Sequence, residues 1–140
     1  MIKKIIKIII FLVFFSNSLM AKTEYFNEGL TLFKNNKFNE AKFKFEQDIV
    51  FNPKNELSYL YLSKIFKIKN NITLEEKNLN TVMMLNPKNE EAIYNLARLK
   101  LSSSDFSKSK ELNKKLKLIC INLCNQSDKL KVEIENLSKQ

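Results

Sequence analysis

The chain has 140 residues, 24 Lys plus Arg against 15 Asp plus Glu, a net charge of +9, one glycine, two prolines, two cysteines and no His or Trp. That length holds one domain. One glycine excludes Gly-rich phosphate loops, the lack of His excludes Ser-His-Asp and Cys-His catalysis and His metal sites, and two cysteines cannot form a four-thiolate zinc site. Scarce Gly and Pro favour long helices over a turn-rich β domain.

The chain opens on Lys3, Lys4 and Lys7, followed by the unbroken apolar run Ile8 to Phe15 and then Ser16, Asn17, Ser18 and Ala21. This is the order of a secretory signal peptide, with cleavage expected after Ala21, or else after Ser18. The run is shorter than the roughly 18–20 residues needed to span a bilayer. An uncleaved N-terminal anchor is the alternative. Residues 1–21 are therefore expected to be a targeting segment, and the remainder to be exported, most plausibly to a bacterial periplasm.

The pentapeptide Asn52-Pro53-Lys54-Asn55-Glu56 recurs unchanged at Asn86-Pro87-Lys88-Asn89-Glu90, an offset of 34 residues. Such an offset marks a repeat array. Sliding the chain by 34 also aligns Phe38, Ile72 and Phe106, and the small residues Gly29, Ser63 and Ala97. Ala41 and Ser109 align with Glu75 between them.

Each repeat reads as two helices. In the second repeat, Tyr59, Leu62, Ser63 and Phe66 share one helical face over about 56–69. A break at Asn70-Asn71 follows. A second helix is expected to open at Thr73, with Glu76 completing a capping box. It must stop before Asn86, because Pro87 pushes its predecessor out of the α region. Asn89 is expected to cap the next helix, with Glu90 and Glu91 favourable at its dipole. Asn36 and Asn70 suit left-handed turns, and Ser104 suits one less well. Gly29, Ser63 and Ala97 on the first helices, and Ala41 and Ser109 on the second, allow close helix approach.

These residues resemble the tetratricopeptide repeat family, a helix–turn–helix solenoid. Tyr25, Gly29, Phe38, Ala41, Phe45 and Pro53 match its pattern in repeat one (22–55). Tyr59, Leu62, Ser63, Phe66 and Pro87 match in repeat two (56–89). Tyr94-Asn95-Leu96-Ala97 and Asp105-Phe106 match in repeat three (90–123). The resemblance implies an all-α, right-handed superhelical solenoid of three repeats, with residues 124–140 as a capping helix and tail. Leu130, Ile134 and Leu137 supply that helix's apolar face. Glu75 stands where the family prefers alanine, which predicts looser packing or a shifted register. Asn113 and Ile121 also depart from the pattern.

In that family the first helices line a concave groove. The resemblance assigns to it Phe26, Asn27, Leu30 and Phe33, then Leu60, Tyr61, Lys64 and Ile68, then Tyr94, Asn95, Arg98 and Leu101. It implies a protein partner, a peptide segment or helix, held by apolar contact with its acids on Lys64 and Arg98. Any single one of these residues could instead serve packing. Some relatives bind C-terminal carboxylates; here Phe26, Leu30, Tyr61, Glu91 and Asn95 occupy those places and do not suit that task.

Cys120 and Cys124 are not a redox C-x-x-C pair. In an exported chain they suggest a disulfide, with two buried thiols or a redox or intermolecular role as alternatives. Lys108, Lys110, Lys114, Lys115 and Lys117 cluster on the last repeat's second helix, a solvated face or a contact for anionic polymer or membrane. No catalytic constellation, metal site or cofactor site can be assembled, and a nucleic-acid partner is not expected. The reading is a non-enzymatic adaptor or assembly factor of the cell envelope, with self-association or anionic-surface binding as rivals.

Overall fold

A computed structural model describes residues 24–139; the expected targeting segment lies outside them. The described residues hold seven helices and no strand. They are α1 (24–34), α2 (Phe38–Phe51), α3 (Glu56–Ile68), α4 (Ile72–Leu85), α5 (Glu90–Ser102), α6 (Phe106–Ile119) and α7 (Cys124–Leu137). The 34-residue offset governs their starts: α3, α5 and α7 begin at 56, 90 and 124, and α2, α4 and α6 at 38, 72 and 106.

The turns inside each helix pair are built alike. Asn36, Asn70 and Ser104 have φ of 59°, 54° and 61°. The next residue's N–H reaches back to a carbonyl five positions earlier: Lys37 to Leu32, Asn71 to Phe66, Asp105 to Lys100. This satisfies the helix-end carbonyls. Ser104 takes the same left-handed turn as the two asparagines, although it suits one less well. Helix α4 is capped by Asn71, whose side chain accepts from Leu74 N–H, so the capping box expected at Thr73 and Glu76 does not form. Asn89 caps α5 through Ala92 N–H as expected.

The structure divides into two compact units that part between Ser58 and Tyr59, inside α3. In the first, the fully buried Phe45 ring of α2 lies against Gly29 of α1. A Cβ there would meet it at 2.9 Å, which is why only glycine fits. Phe26 tilts against Phe45 at 5.8 Å, Phe33 meets Phe38 edge-on at 5.4 Å, and Tyr25 stacks on Phe51 at 5.5 Å. The turn after α2 is tied to a buried acid. Asp48 accepts from Ser58 Oγ at 2.5 Å and Asn55 Nδ2 at 2.7 Å, both on Oδ2.

The second unit has one continuous core. Leu60, Leu79, Val82, Ile93, Leu96, Ala97, Leu112, Leu116, Leu130 and Ile134 are buried together. Helix α5 sits centrally, packed on α4, α6 and α7. Its close pairing with α6 runs through Ser109, whose Oγ donates to Ala97 O at 2.9 Å. On α7, Leu130 and Ile134 enter the core, while Asp128, Lys131 and Glu135 stand exposed at the positions equivalent to Tyr94, Ala97 and Leu101 of α5. Charge thus replaces the apolar and small residues by which α5 receives α6.

Cys120, the C-cap residue just beyond α6, and Cys124, the first of α7, are joined by a disulfide across a Cα separation of 5.3 Å. Glu90 holds the same connection. Its carboxylate accepts from Ile121 and Leu123 N–H, each at 2.8 Å, and from Asn122 N–H at 3.0 Å. These bonds, that from Ile121 first, hold the Glu90 carboxyl below the usual carboxylate range.

Glu75 keeps its helical register but is buried with no ion pair or side-chain hydrogen bond among the described residues. Burial raises its pKa, opposed only by Lys67. The folded state therefore holds this proton more tightly than the unfolded chain. Stability is fullest below the ordinary glutamate range and declines as pH rises through the raised value. Glu75→Ala, the residue type of position 41, is expected to stabilise the protein by about 1 kcal/mol at neutral pH. Thermal melts should show the gain narrowing at acidic pH; a gain independent of pH would contradict this assignment.

Candidate functional site

The predicted groove residues fall in both units, and each set stands by itself. In the first unit, Asn27 is exposed, Leu30 is half-buried, and the Phe26 and Phe33 rings are engaged with Phe45 and Phe38. These two rings serve the α1–α2 pairing. In the second unit, Leu60 and Leu101 are core residues, a correction to their expected place on an open face. Both sit on the side of their helices that joins the core cluster. Ile68 is about half exposed at the end of α3.

Tyr61, Lys64, Tyr94, Asn95 and Arg98 remain accessible on α3 and α5. The Lys64 ammonium lies 4.6 Å from the Tyr61 ring centroid and 2.8 Å from Glu91 Oε1. Glu91 then borders a 540 Å³ cleft whose wall includes Tyr94, Asn95, Asn122, Leu123 and Gln126. Arg98 pairs with Glu133 of α7, and Lys100 with Glu76 at 2.6 Å. Lys64 and Arg98, expected to receive partner acids, each already have an internal carboxylate beside them. These pairs are partly exposed, so a ligand acid would have to displace a glutamate to use them.

The site chemistry is thus aromatic and amide rather than cationic. Tyr61 and Tyr94 present half-buried rings, while Asn95, Asn122 and Gln126 offer amides that donate and accept. Asn122 and Gln126 were not anticipated. They fall outside the repeat pattern, in the connection and first turn of α7, and only the folding of that connection onto Glu90 brings them to Tyr94.

Among the described residues no cluster of three His, Cys, Asp or Glu could hold a metal ion, and no helix is long and apolar enough to cross a membrane. Of the packing residues, Gly29, Ala41, Ser63, Ala97 and Ser109 are buried, and Pro53 and Pro87 lie exposed in the turns before α3 and α5. On the lysine face, Lys108 pairs with Glu111 at 2.8 Å and Lys117 with Asp128 at 2.7 Å. Lys110 and Lys114 border a second cavity of 390 Å³ between α6 and α7, floored by Phe106 and Ile134.

The paired helices, their 34-residue period and the left-handed turns define the fold of tetratricopeptide repeats, an all-α helix–turn–helix solenoid. Solved structures share it. The first tetratricopeptide domain of Spaghetti (RPAP3), bound to an HSP90 peptide, matches with a TM-score of 0.76 at 14% identity, over 85% of this chain and 94% of that one. The TPR2B domain of yeast Sti1 in its pHsp70 complex matches at 0.77 and 13%, over 84% and 98%. The Yersinia enterocolitica type III secretion chaperone SycD, in complex with a peptide of the translocator YopD, matches at 0.74 and 12%, over 84% and 94%. No protein-family model and no curated protein matches the sequence.

Proposed function

We propose that the protein is a non-enzymatic interaction module that holds a segment of another protein against the accessible faces of α3 and α5. The observation that carries this reading is a pair of half-buried tyrosines: Tyr61 lies under Lys64, which pairs with Glu91, and Glu91 and Tyr94 both line the amide-bearing cleft. Tyrosine is enriched at binding hot spots because it brings large area and a polar tip at small entropic cost. Domains of the same fold have been solved with peptides from HSP90 and YopD, which supports peptide binding as the use of this scaffold. Since Lys64 and Arg98 are internally paired, the segment is recognised through apolar and amide contacts and not through a terminal carboxylate.

Export to a bacterial-type envelope belongs to the same proposal. Its supports are the basic–apolar–small order of residues 1–21 and the Cys120–Cys124 disulfide, which persists in an oxidising compartment.

The test is crosslinking capture from the native organism, with wild type compared to a Tyr61→Ala, Tyr94→Ala variant. Loss of two hot-spot rings should weaken partner recovery by about thirtyfold or more. Equal recovery of the same partners by both proteins would move the binding surface off these helices.

A further inference from the structure

Three helices carry an exposed aliphatic side chain at the same place. Val50, Met84 and Leu118 are each the next-to-last residue of α2, α4 and α6, one repeat apart, and are 75%, 82% and 86% exposed. In the second unit Ile121, just beyond α6, adds a fourth at 85%. Single exposed aliphatics are ordinary. Met84, Leu118 and Ile121 lie within one unit at positions its core does not use, and Val50 repeats the position in the other unit.

Lysine surrounds these tips. Lys114 and Lys115 lie one turn before Leu118 on α6. Lys77 precedes Met84 by two turns on α4, and Lys88 follows it in the next turn. None of these four is ion-paired among the described residues. Glu111, the acid on the same stripe of α6, is taken by Lys108. We propose that the C-terminal ends of α4 and α6 dock on an anionic lipid bilayer, with Met84, Leu118 and Ile121 entering the headgroup–acyl boundary and the lysines meeting lipid phosphates. The composition favours lipid over protein. Protein interfaces are enriched in aromatics and Arg and depleted in Lys, whereas this surface has no aromatic or Arg and four free lysines. Lysine stems also lie along apolar surface while the ammonium stays at the headgroups.

The chain has no tryptophan, so Leu118→Trp in the full-length protein is a clean reporter. Thr73→Trp, exposed at the opposite end of α4, is its control. The probes are phosphatidylcholine vesicles carrying brominated chains, with and without phosphatidylglycerol. Expected is a blue shift and bromine quenching at position 118 with phosphatidylglycerol only, with position 73 unaffected. Met84→Ser with Ile121→Ser in the same background should weaken that response about tenfold, while circular dichroism shows an unchanged fold. Equal quenching at 73 and 118, as an N-terminal tether alone would give, overturns the proposal. So does an equal response to soluble dextran sulfate, or a blue shift that grows with protein concentration without vesicles, which would mark a second copy.

Discussion

Leu116→Ala is expected to destabilise the protein by about 2–5 kcal/mol. Leu116 is fully buried on α6, in the cluster that also takes Ile93, Leu96 and Ala97 from α5 and Leu130 and Ile134 from α7. Removing its isopropyl group leaves a void between three helices. The α5–α6 pair is already in close contact through Ser109 and Ala97, so it has little room to collapse. The melting temperature should fall by about 10–30 °C for a domain of this size. Leu116→Met, which keeps the volume, should cost less than about 1.5 kcal/mol. Denaturant unfolding of both variants checks this; a loss under about 1 kcal/mol for the alanine variant would mean that Leu116 does not bridge the core.

Asp48→Ala has the second largest expected effect, about 3 kcal/mol. Asp48 is fully buried and makes both bonds through one oxygen, Oδ2, to Ser58 Oγ and Asn55 Nδ2. Its Oδ1 has no hydrogen-bond partner. Truncation strands the buried Ser58 hydroxyl and leaves the half-buried Asn55 amide with only its bond to Ser58 Oγ at 3.1 Å. Asp48→Asn keeps an acceptor for both donors but puts its amide where Oδ1 has no partner, so it should lose stability, less than the alanine variant does. Chemical denaturation of the two variants, with Asp48→Asn as the isosteric control, separates the hydrogen bonds from packing. Equal losses would show that the acceptor role of the side chain does not hold this turn.

The arrangement of helices was readable because one signal repeats. The recurring pentapeptide marks the starts of α3 and α5, and the aligned Phe38, Ile72 and Phe106 are the first residues of α2, α4 and α6. Asn36, Asn70 and Ser104 share a left-handed turn because helix geometry demands one there, and Ser104 follows its neighbours despite its weaker preference. What escaped is polar and pairwise. Asp48 corresponds to Val82 and Leu116 in the later repeats, so periodicity alone suggests an apolar site and hides the triad with Asn55 and Ser58. The start of α4 was misplaced because Thr73 and Glu76 form a capping pattern locally, while Asn71 stands two residues nearer the turn and Glu76 is taken by Lys100.

The candidate site was legible in its aromatic part and not in its charges. Tyr61, Tyr94 and Asn95 follow from helix position. The pairing of Lys64 with Glu91 and of Arg98 with Glu133 joins successive repeats across 27 and 35 residues. No local pattern distinguishes such a pair from a free cation. Leu60 and Leu101 look like groove residues by family position and are buried because their faces turn into the core cluster. Glu90 shows the same limit: one residue from Glu91, it binds the α6–α7 connection instead of a ligand.

The most direct measurement of the central claim is site-specific photocrosslinking in the native organism. A photoreactive side chain would be placed at Tyr61 or Tyr94, and in parallel at Leu118, with the products sequenced by mass spectrometry. The account predicts one discrete protein segment crosslinked from positions 61 and 94 and absent from position 118. Recovery of that same segment from position 118, with none from 61 or 94, would contradict it.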